Sequence, residues 1–266
     1  ILKFFQGTEL KSHFEKVSNN NIKASIKPQK VYLIPKVFNG TTRELLEKHD
    51  ERNTVTELTE QLDLKNSLEK NVNELSGGEL QRLAVAITAN KEADFYFFDE
   101  PSSYNDIYQR LSVARVIHRL ADIGKSVMVV EHDITLLDYL SDYIYALYGE
   151  PGVYGIVSSV LSTKVGINVF LDGYLPNENV RFRDKAFRFE TSTSKEDFIQ
   201  NEVLTEYSDL EKYYNTFKLK VTTGKIRKGE VVGIVGANAL GKTTMMKMLA
   251  GVEKPDNGKV DMNTKI

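Results

Sequence analysis

The sequence predicts an α/β fold built on parallel strands. Three observations carry that reading. Between Asp94 and Val130, apolar strand-like runs alternate with a helical pattern, an order that favours a parallel sheet. Two of those runs end in Asp99-Glu100 and Glu131-His132, and α/β sheets place ligands at the carboxyl ends of their strands. Gly236-Ala237-Asn238-Ala239-Leu240-Gly241-Lys242-Thr243 has the P-loop spacing G-x-x-x-x-G-K-[ST], which arises by chance in about one chain in a hundred of this length.

Residues 1–36 are mixed and Lys-rich. Residues 41–71 read as helical, with Leu45, Leu46, Leu58, Leu62, Leu64 and Leu68 among many charges. Residues 75–89 place Leu80, Leu83, Ala84 and Ile87 on one helical stripe. Asp94 to Phe98 is a short buried strand, 107–121 a second helix, and Ser126 to Val130 a second strand. From 150 to 205 glycine, proline and aromatic residues cluster before the polar stretch Thr191 to Gln200, which reads as a connecting, partly irregular segment. A new unit begins near Tyr214, with Phe217, Leu219 and Val221 alternating, a strand over Val231–Val235, the glycine loop and a helix from Lys242. The organisation expected is 1–150, a hinge over 151–205, and 206–266.

The 266 residues suit one large domain or two small ones. Lys+Arg 35 against Asp+Glu 37 leaves a net charge of −2, too weak a field to draw nucleic acid or anionic membrane by itself. No apolar run approaches the ~18 residues that span a bilayer, and no signal-peptide pattern stands at Ile1. Cysteine is absent, which excludes disulfides and thiolate chemistry within these residues. A cytoplasmic setting and no membrane partner are expected. His13, His49 and His118 read as structural.

Successive backbone N–H groups of a P-loop line a concavity, and the following helix N-terminus adds partial positive charge. Lys242 would reach β- and γ-phosphates, and the Thr243 hydroxyl would meet Mg²⁺. An ordinary glycine-rich turn is the alternative. Ser76 and Glu79 have capping-box spacing, while Gly77 and Gly78 would admit a phosphate to the helix N-terminus. Asp99 and Glu100, adjacent at a strand end, suit a metal holder and a proton acceptor; a solvated strand end is the alternative. An imidazole at His132 could donate to a γ-phosphate.

Gln29, LSGGELQR (75–82), FFDEPSS (97–103) and VVEHD (129–133) stand in the order Q-loop, signature, Walker B, switch histidine. Together they resemble an ABC-type ATPase. IKPQ, LSGGELQRLAVA, ADFYFFDEPSSY, LYGEPGVYG, VGINVFLDGYLPNENVRFRD and GKTTMMKMLAGVEKPDNGKV closely resemble the RNase L inhibitor family, the class E ABC ATPases that split ribosomes. That resemblance covers nearly the whole chain. It implies two ABC nucleotide-binding domains in tandem, both incomplete here. It implies ATP and Mg²⁺ as cofactors, with an iron–sulfur domain outside this chain, and the small ribosomal subunit, its RNA and termination factors as partners.

By the resemblance, Asp99 supports Mg²⁺ and Gln29 senses metal and water, Glu100 is the general base, and His132 contacts the γ-phosphate, while Thr243 meets the Mg²⁺ of the other site, at the second domain's P-loop. Ser76, Gly77 and Gly78 cap a nucleotide held by the other domain. Gly236, Asn238, Gly241, Lys242, Thr243 and Thr244 form the second domain's P-loop, and Tyr214 or Phe217 stacks on adenine. In one ABC domain the P-loop precedes the signature; here it follows. The chain therefore reads as the end of domain one joined to the start of domain two, unable alone to sustain turnover. Two departures stand out: Ala239 where the family has Gly, and Asn105 where it has Leu. Arg181-Phe182-Arg183-Asp184-Lys185-Ala186-Phe187-Arg188 alternates basic and aromatic residues, as an RNA-contacting stripe or a half-buried strand would. The rivals are an ABC transporter ATPase subunit and a non-catalytic nucleotide- or RNA-binding module.

Overall fold

A computed structural model describes residues 22–188 and 202–262. His13 and the stretch Thr191 to Gln200 lie outside the described residues. The chain divides into two units, up to Phe187 and from Arg188.

The first unit is organised on a parallel sheet of β1 (Ala24–Lys27), β2 (Phe95–Asp99) and β3 (Ser126–Val130), in that spatial order. Between β1 and β2 run α1 (Ile34–Val37), α2 (Thr42–Lys48), α3 (Val55–Gln61) and α4 (Gly77–Asn90). The helix α5 (Ile107–Asp122) crosses from β2 to β3, and α6 (Ile134–Leu140) follows β3. The predicted stripe on α4 is buried at Leu80, Leu83 and Ala84 and extends to Val85, Ala86 and Ala89. It packs with Tyr96 and Phe98 of β2 and with Val113, Val116, Ile117 and Leu120 of α5.

The helical expectation for 41–71 resolves into two short helices and turns. Asn53, in the turn before α3, and Asp63, just past its end, adopt left-handed backbone, φ 55° and 52°, a conformation that Asn and Asp tolerate and that does not continue a helix. The leucines still do their work: Leu45, Leu46, Leu58, Leu62 and Leu64 all reach the core.

The sheet has two unlike faces. Ser25, Lys27, Tyr96 and Phe98 point into the core, whereas Ile26 is 62% exposed and Met128 and Val130 are also exposed. No described strand pairs with the free side of β3. Parallel sheets are ordinarily covered on both faces.

Beyond α6 the chain is more regular than the sequence suggests. It forms β4 (Tyr143–Ile144), the hairpin β5 (Leu147–Glu150) and β6 (Tyr154–Val157), then β7 (Leu161–Ser162), which pairs with β4. Helix α7 (Thr163–Asp172) ends at Gly173, φ 70°, a left-handed C-cap suited to glycine. The short hairpin β8 (Tyr174–Leu175) and β9 (Val180–Arg181) follows. Leu161, Val169 and Leu175 make a small second core.

In the second unit β10 (Val203–Tyr214) pairs antiparallel with β11 (Phe217–Val221), β12 (Gly224–Arg227) and β13 (Asn257–Met262). Helix α8 (Lys242–Leu249) buries Met248 and Leu249 with Leu210. The strand expected over Val231–Val235 does not form, and Val231 is 97% exposed. A strand exists only through its neighbour's hydrogen bonds, and no described strand lies alongside this run.

Candidate nucleotide and hydrolysis sites

The carboxyl ends of the three parallel strands bring the first group of predicted residues together. Gln29 follows β1, Asp99 and Glu100 end β2, and His132 follows β3. Glu100 is where they meet. Gln29 Nε2 donates to its Oε1 at 2.7 Å, and His132 Nε2 lies 3.2 Å from the same oxygen. Ser103 Oγ donates to Oε2 at 3.3 Å, and the Glu100 N–H donates to Val130 O at 2.9 Å. Glu100 holds a left-handed backbone, φ 46°, which costs a non-glycine residue about 1–2 kcal/mol. A carboxylate gripped at both oxygens is oriented, and it can accept a proton from a nearby water.

Three contributors escaped the sequence reading. Lys27 is fully buried, and its Nζ donates to Asp99 O at 2.6 Å and Glu100 O at 3.1 Å. Burial lowers its pKa to about 8, against the opposing pull of Asp99, Glu100 and Glu131. Glu131 accepts from the Ser102 N–H at 2.9 Å and the His132 N–H at 3.1 Å, tying the two strand-end loops together. Ser103 is the third. The one available signal was Lys27 falling in phase with the buried positions of β1.

Ser76 is the N-cap of α4, with the complete reciprocal capping box to Glu79. Its hydroxyl accepts from the Glu79 N–H at 3.3 Å and donates to Glu79 Oε2 at 2.7 Å, while the first N–H groups of the helix have no intrahelical acceptor. Gly78 is glycine for a local reason: a Cβ there would lie 3.0 Å from Tyr104 O and 3.3 Å from Asn105 Oδ1. Asn105 is buried and accepts from Arg82 Nη1 of α4 at 2.9 Å. So the loop after Glu100 is locked against the signature helix. Among the described residues, Asn105 Nδ2 and Arg82 Nε have no hydrogen-bond partner.

Burial acts to raise the Glu79 pKa, but hydrogen bonds from Lys70, Ser67 and Ser76 outweigh it and hold the carboxyl at about 2. With its ordinary value at 4.5, this group stabilises the fold fully above pH 4.5, and that contribution disappears as pH falls toward 2. Glu79→Gln is therefore expected to lower stability at pH 7 and to flatten its decline between pH 4.5 and 2, read from urea midpoints across that range.

In the second unit the P-loop residues surround an open depression of about 420 Å³, lined by Tyr214, Phe217, Asn238, Ala239, Gly241, Lys242, Thr243 and Thr244. Lys242 Nζ donates to Gly236 O and Ala237 O, both at 2.6 Å, so the ammonium lies across the loop. Gly241 is left-handed, φ 85°, and caps α8. A Cβ there would press on Leu219 and Phe217 at 3.1 and 3.2 Å. Ala239 also is left-handed, φ 62°. Tyr214 donates its hydroxyl to Glu253 Oε1, while Phe217 keeps its ring on the pocket wall. The chemistry fits a magnesium nucleotide: amides, a lysine and threonine hydroxyls around one concavity. Among the described residues no cluster of three His, Asp or Glu side chains is set to hold a metal.

The basic–aromatic stripe divides. The Arg183 guanidinium lies 3.9 Å from the Phe187 ring centroid and 5.1 Å from that of Phe170, and donates to Leu171 O at 3.2 Å. That side chain is spent on holding the segment together. Arg181, 5.4 Å from the Tyr174 ring centroid, and Lys185 remain exposed.

A sequence family described as ABC transporter matches residues 3–103 and 219–266. An uncharacterized ABC transporter ATP-binding protein of Methanocaldococcus jannaschii is 50% identical over 260 residues, 98% of this chain and 42% of the relative. Translation initiation factor RLI1 of Saccharomyces cerevisiae is 44% identical, over 97% of this chain and 44% of the relative. Among solved structures, an RNase-L inhibitor aligns at TM-score 0.91 and 53% identity, covering 98% of this chain and 51% of that one. An archaeal ribosome recycling factor, solved with the ribosomal stalk protein aP1, aligns at TM-score 0.91 and 52% identity, over 98% and 50%. The chain thus spans about half the length of the proteins it matches. Among the described residues no helix is long and apolar enough to cross a membrane. The Q-loop, signature, acidic strand end, switch histidine and P-loop, with these relatives, show that the chain belongs to the ABC ATPase family and, within it, to the RNase L inhibitor group.

Proposed function

We propose that this chain is the central stretch of a tandem ABC ATPase that binds Mg-ATP and works in ribosome recycling in the cytoplasm. The observation that carries the catalytic half is the Glu100 carboxylate, held by Gln29 and His132 at 2.7 and 3.2 Å. In this reading Glu100 takes the proton of the attacking water, and His132 faces the γ-phosphate. Asp99 and Gln29 would hold Mg²⁺, which would neutralise developing phosphate charge. In the second unit Lys242 and the 236–241 amides take the phosphates of a second nucleotide. Thr243 meets its Mg²⁺, Thr244 the phosphates and Phe217 the adenine. Ser76, Gly77 and Gly78 offer a helix N-terminus to a γ-phosphate. The work is mechanical: ATP closes two domains and hydrolysis reopens them.

The ribosomal partners follow from what the relatives are, one solved with a stalk protein and one described as ribosome-bound with Pelota. The exposed Arg181 and Lys185 suit contact with the small subunit's RNA. The P-loop Lys242 and the Glu100 group belong to different nucleotide sites by motif order, so the 266-residue polypeptide alone binds ATP without sustained turnover. Its phosphate release with Mg-ATP is expected at background, equal for the parent and for Glu100→Gln. Turnover of the parent that Glu100→Gln abolishes would sink this assignment. A non-catalytic nucleotide-binding module is the second reading, and left-handed Ala239 favours it.

A further inference from the structure

The chain leaves β2 through a turn that a strand does not make unaided. Consecutive carbonyls of extended backbone point to opposite sides. At the end of β2 the carbonyls of Asp99 and Glu100 instead reach one ammonium, Lys27 Nζ, at 2.6 and 3.1 Å. Glu100 makes this turn with φ 46°. Lys27 pairs in register with Phe98 on the neighbouring strand, so its side chain spans the last residues of β2 to reach them. It is fully buried, and a buried ammonium persists only where acceptors and counter-charges are fixed around it. Those counter-charges are Asp99 and Glu100 from β2 and the following residue, and Glu131 from the end of β3.

We propose that Lys27 is a positioning residue of the hydrolysis site: its ammonium clamps the two carbonyls, fixes the left-handed turn at Glu100, and so aims that carboxylate at Gln29 and His132. The proposal rests on Glu100 being the proton acceptor, but its geometry can be tested apart from that. Without the clamp, the Glu100 N–H bond to Val130 O and the exposed carboxylate contacts alone do not offset its backbone strain, and Glu100 relaxes toward extended φ, carrying its carboxylate away from its partners.

The test uses Lys27→Met, which keeps an unbranched chain of similar volume, alone and with Glu100→Gly in the 266-residue chain. Glycine adopts positive φ freely. Lys27→Met is therefore expected to lower the melting temperature by roughly 5 °C or more with Glu100 present, and by less than half of that with Glu100→Gly. Equal losses in both backgrounds, or a crystal structure of Lys27→Met that keeps positive φ at residue 100 with both carboxylate contacts, overturn the proposal. Should Lys27→Met not fold, NMR of the parent decides. The clamp requires a slowly exchanging Lys27 ammonium with hydrogen-bond couplings to the carbonyl carbons of Asp99 and Glu100, and their absence overturns it. In an ATP-hydrolysing protein containing this chain, Lys27→Met lowers kcat about 10-fold or more at unchanged KM, and Lys27→Arg restores part of it. There Glu100→Gln tests the base assignment separately. If Glu100→Gln leaves kcat intact, that assignment fails while the melting and NMR results still judge the clamp.

Discussion

Replacing Lys242 with alanine is expected to weaken ATP binding to the second unit by about 100-fold or more. The ammonium lies across the loop, 2.6 Å from the carbonyls of Gly236 and Ala237, and lines the pocket beside Thr243 and Thr244. Its charge is thus placed before the phosphates arrive, and little ordering remains to be done on binding. Removing one partner of a close, partly desolvated charge pair costs about 2–5 kcal/mol, which is roughly 30- to several-thousand-fold in affinity. Lys242→Arg is not a substitute, because a planar fork replaces a compact point charge in a loop closed around it. Isothermal titration with ATP measures the loss, and a melting curve controls for folding. A change under threefold means the loop does not hold phosphate as described.

The second large effect is a gain. Ala239→Gly should stabilise the second unit by up to ~1.5 kcal/mol, with ~0.7 kcal/mol at the middle of the two opposing ranges. Ala239 sits at φ 62°, where an alanine Cβ meets the following carbonyl at a cost of about 1–2 kcal/mol. Glycine removes that strain but loses more chain entropy on folding, an offset of ~0.5–1 kcal/mol. If the strained loop also samples other shapes, the strain lowers the population able to receive phosphate. Relief then tightens ATP binding by up to ~5- to 30-fold. Melting temperature and ATP titration on parent and Ala239→Gly separate the two contributions. Loss of stability would mean that the turn at 239 is not the seat of strain.

The parts of this molecule that were legible in its sequence are those where local pattern and tertiary burial agree. The α4 stripe, the apolar runs of β2 and β3, and the N-cap at Ser76 each combine a local signal with a core to fill. The P-loop was legible because the glycine at 241 and the lysine at 242 serve a backbone turn that few other sequences supply. The run Val231–Val235 was misread because a strand is a property of a pair, and sequence shows one member. The helical reading of 41–71 lacked its breaks because Asn53 and Asp63, left-handed in the turns that flank α3, interrupt the helical run through their own backbone, a cost outvoted in the count of leucines. Lys27, marked only by its phase on β1, went unread for the opposite reason. A lysine inside a core contradicts its type, and only the carbonyls that receive it, some seventy residues on in the chain, explain why it is there.

The bare face of the parallel sheet has a practical consequence at the bench. Met128 and Val130 stand exposed on β3, whose outer side pairs with no described strand, an apolar surface next to a row of open backbone donors and acceptors. Such an edge recruits any strand that drifts past, so molecules in solution find one another through it. Sulfate and other salting-out precipitants strengthen that association, while cold and mild urea loosen it. A charged residue at Met128 is therefore expected to lower turbidity on concentrating the polypeptide, and no change would place the association on another surface.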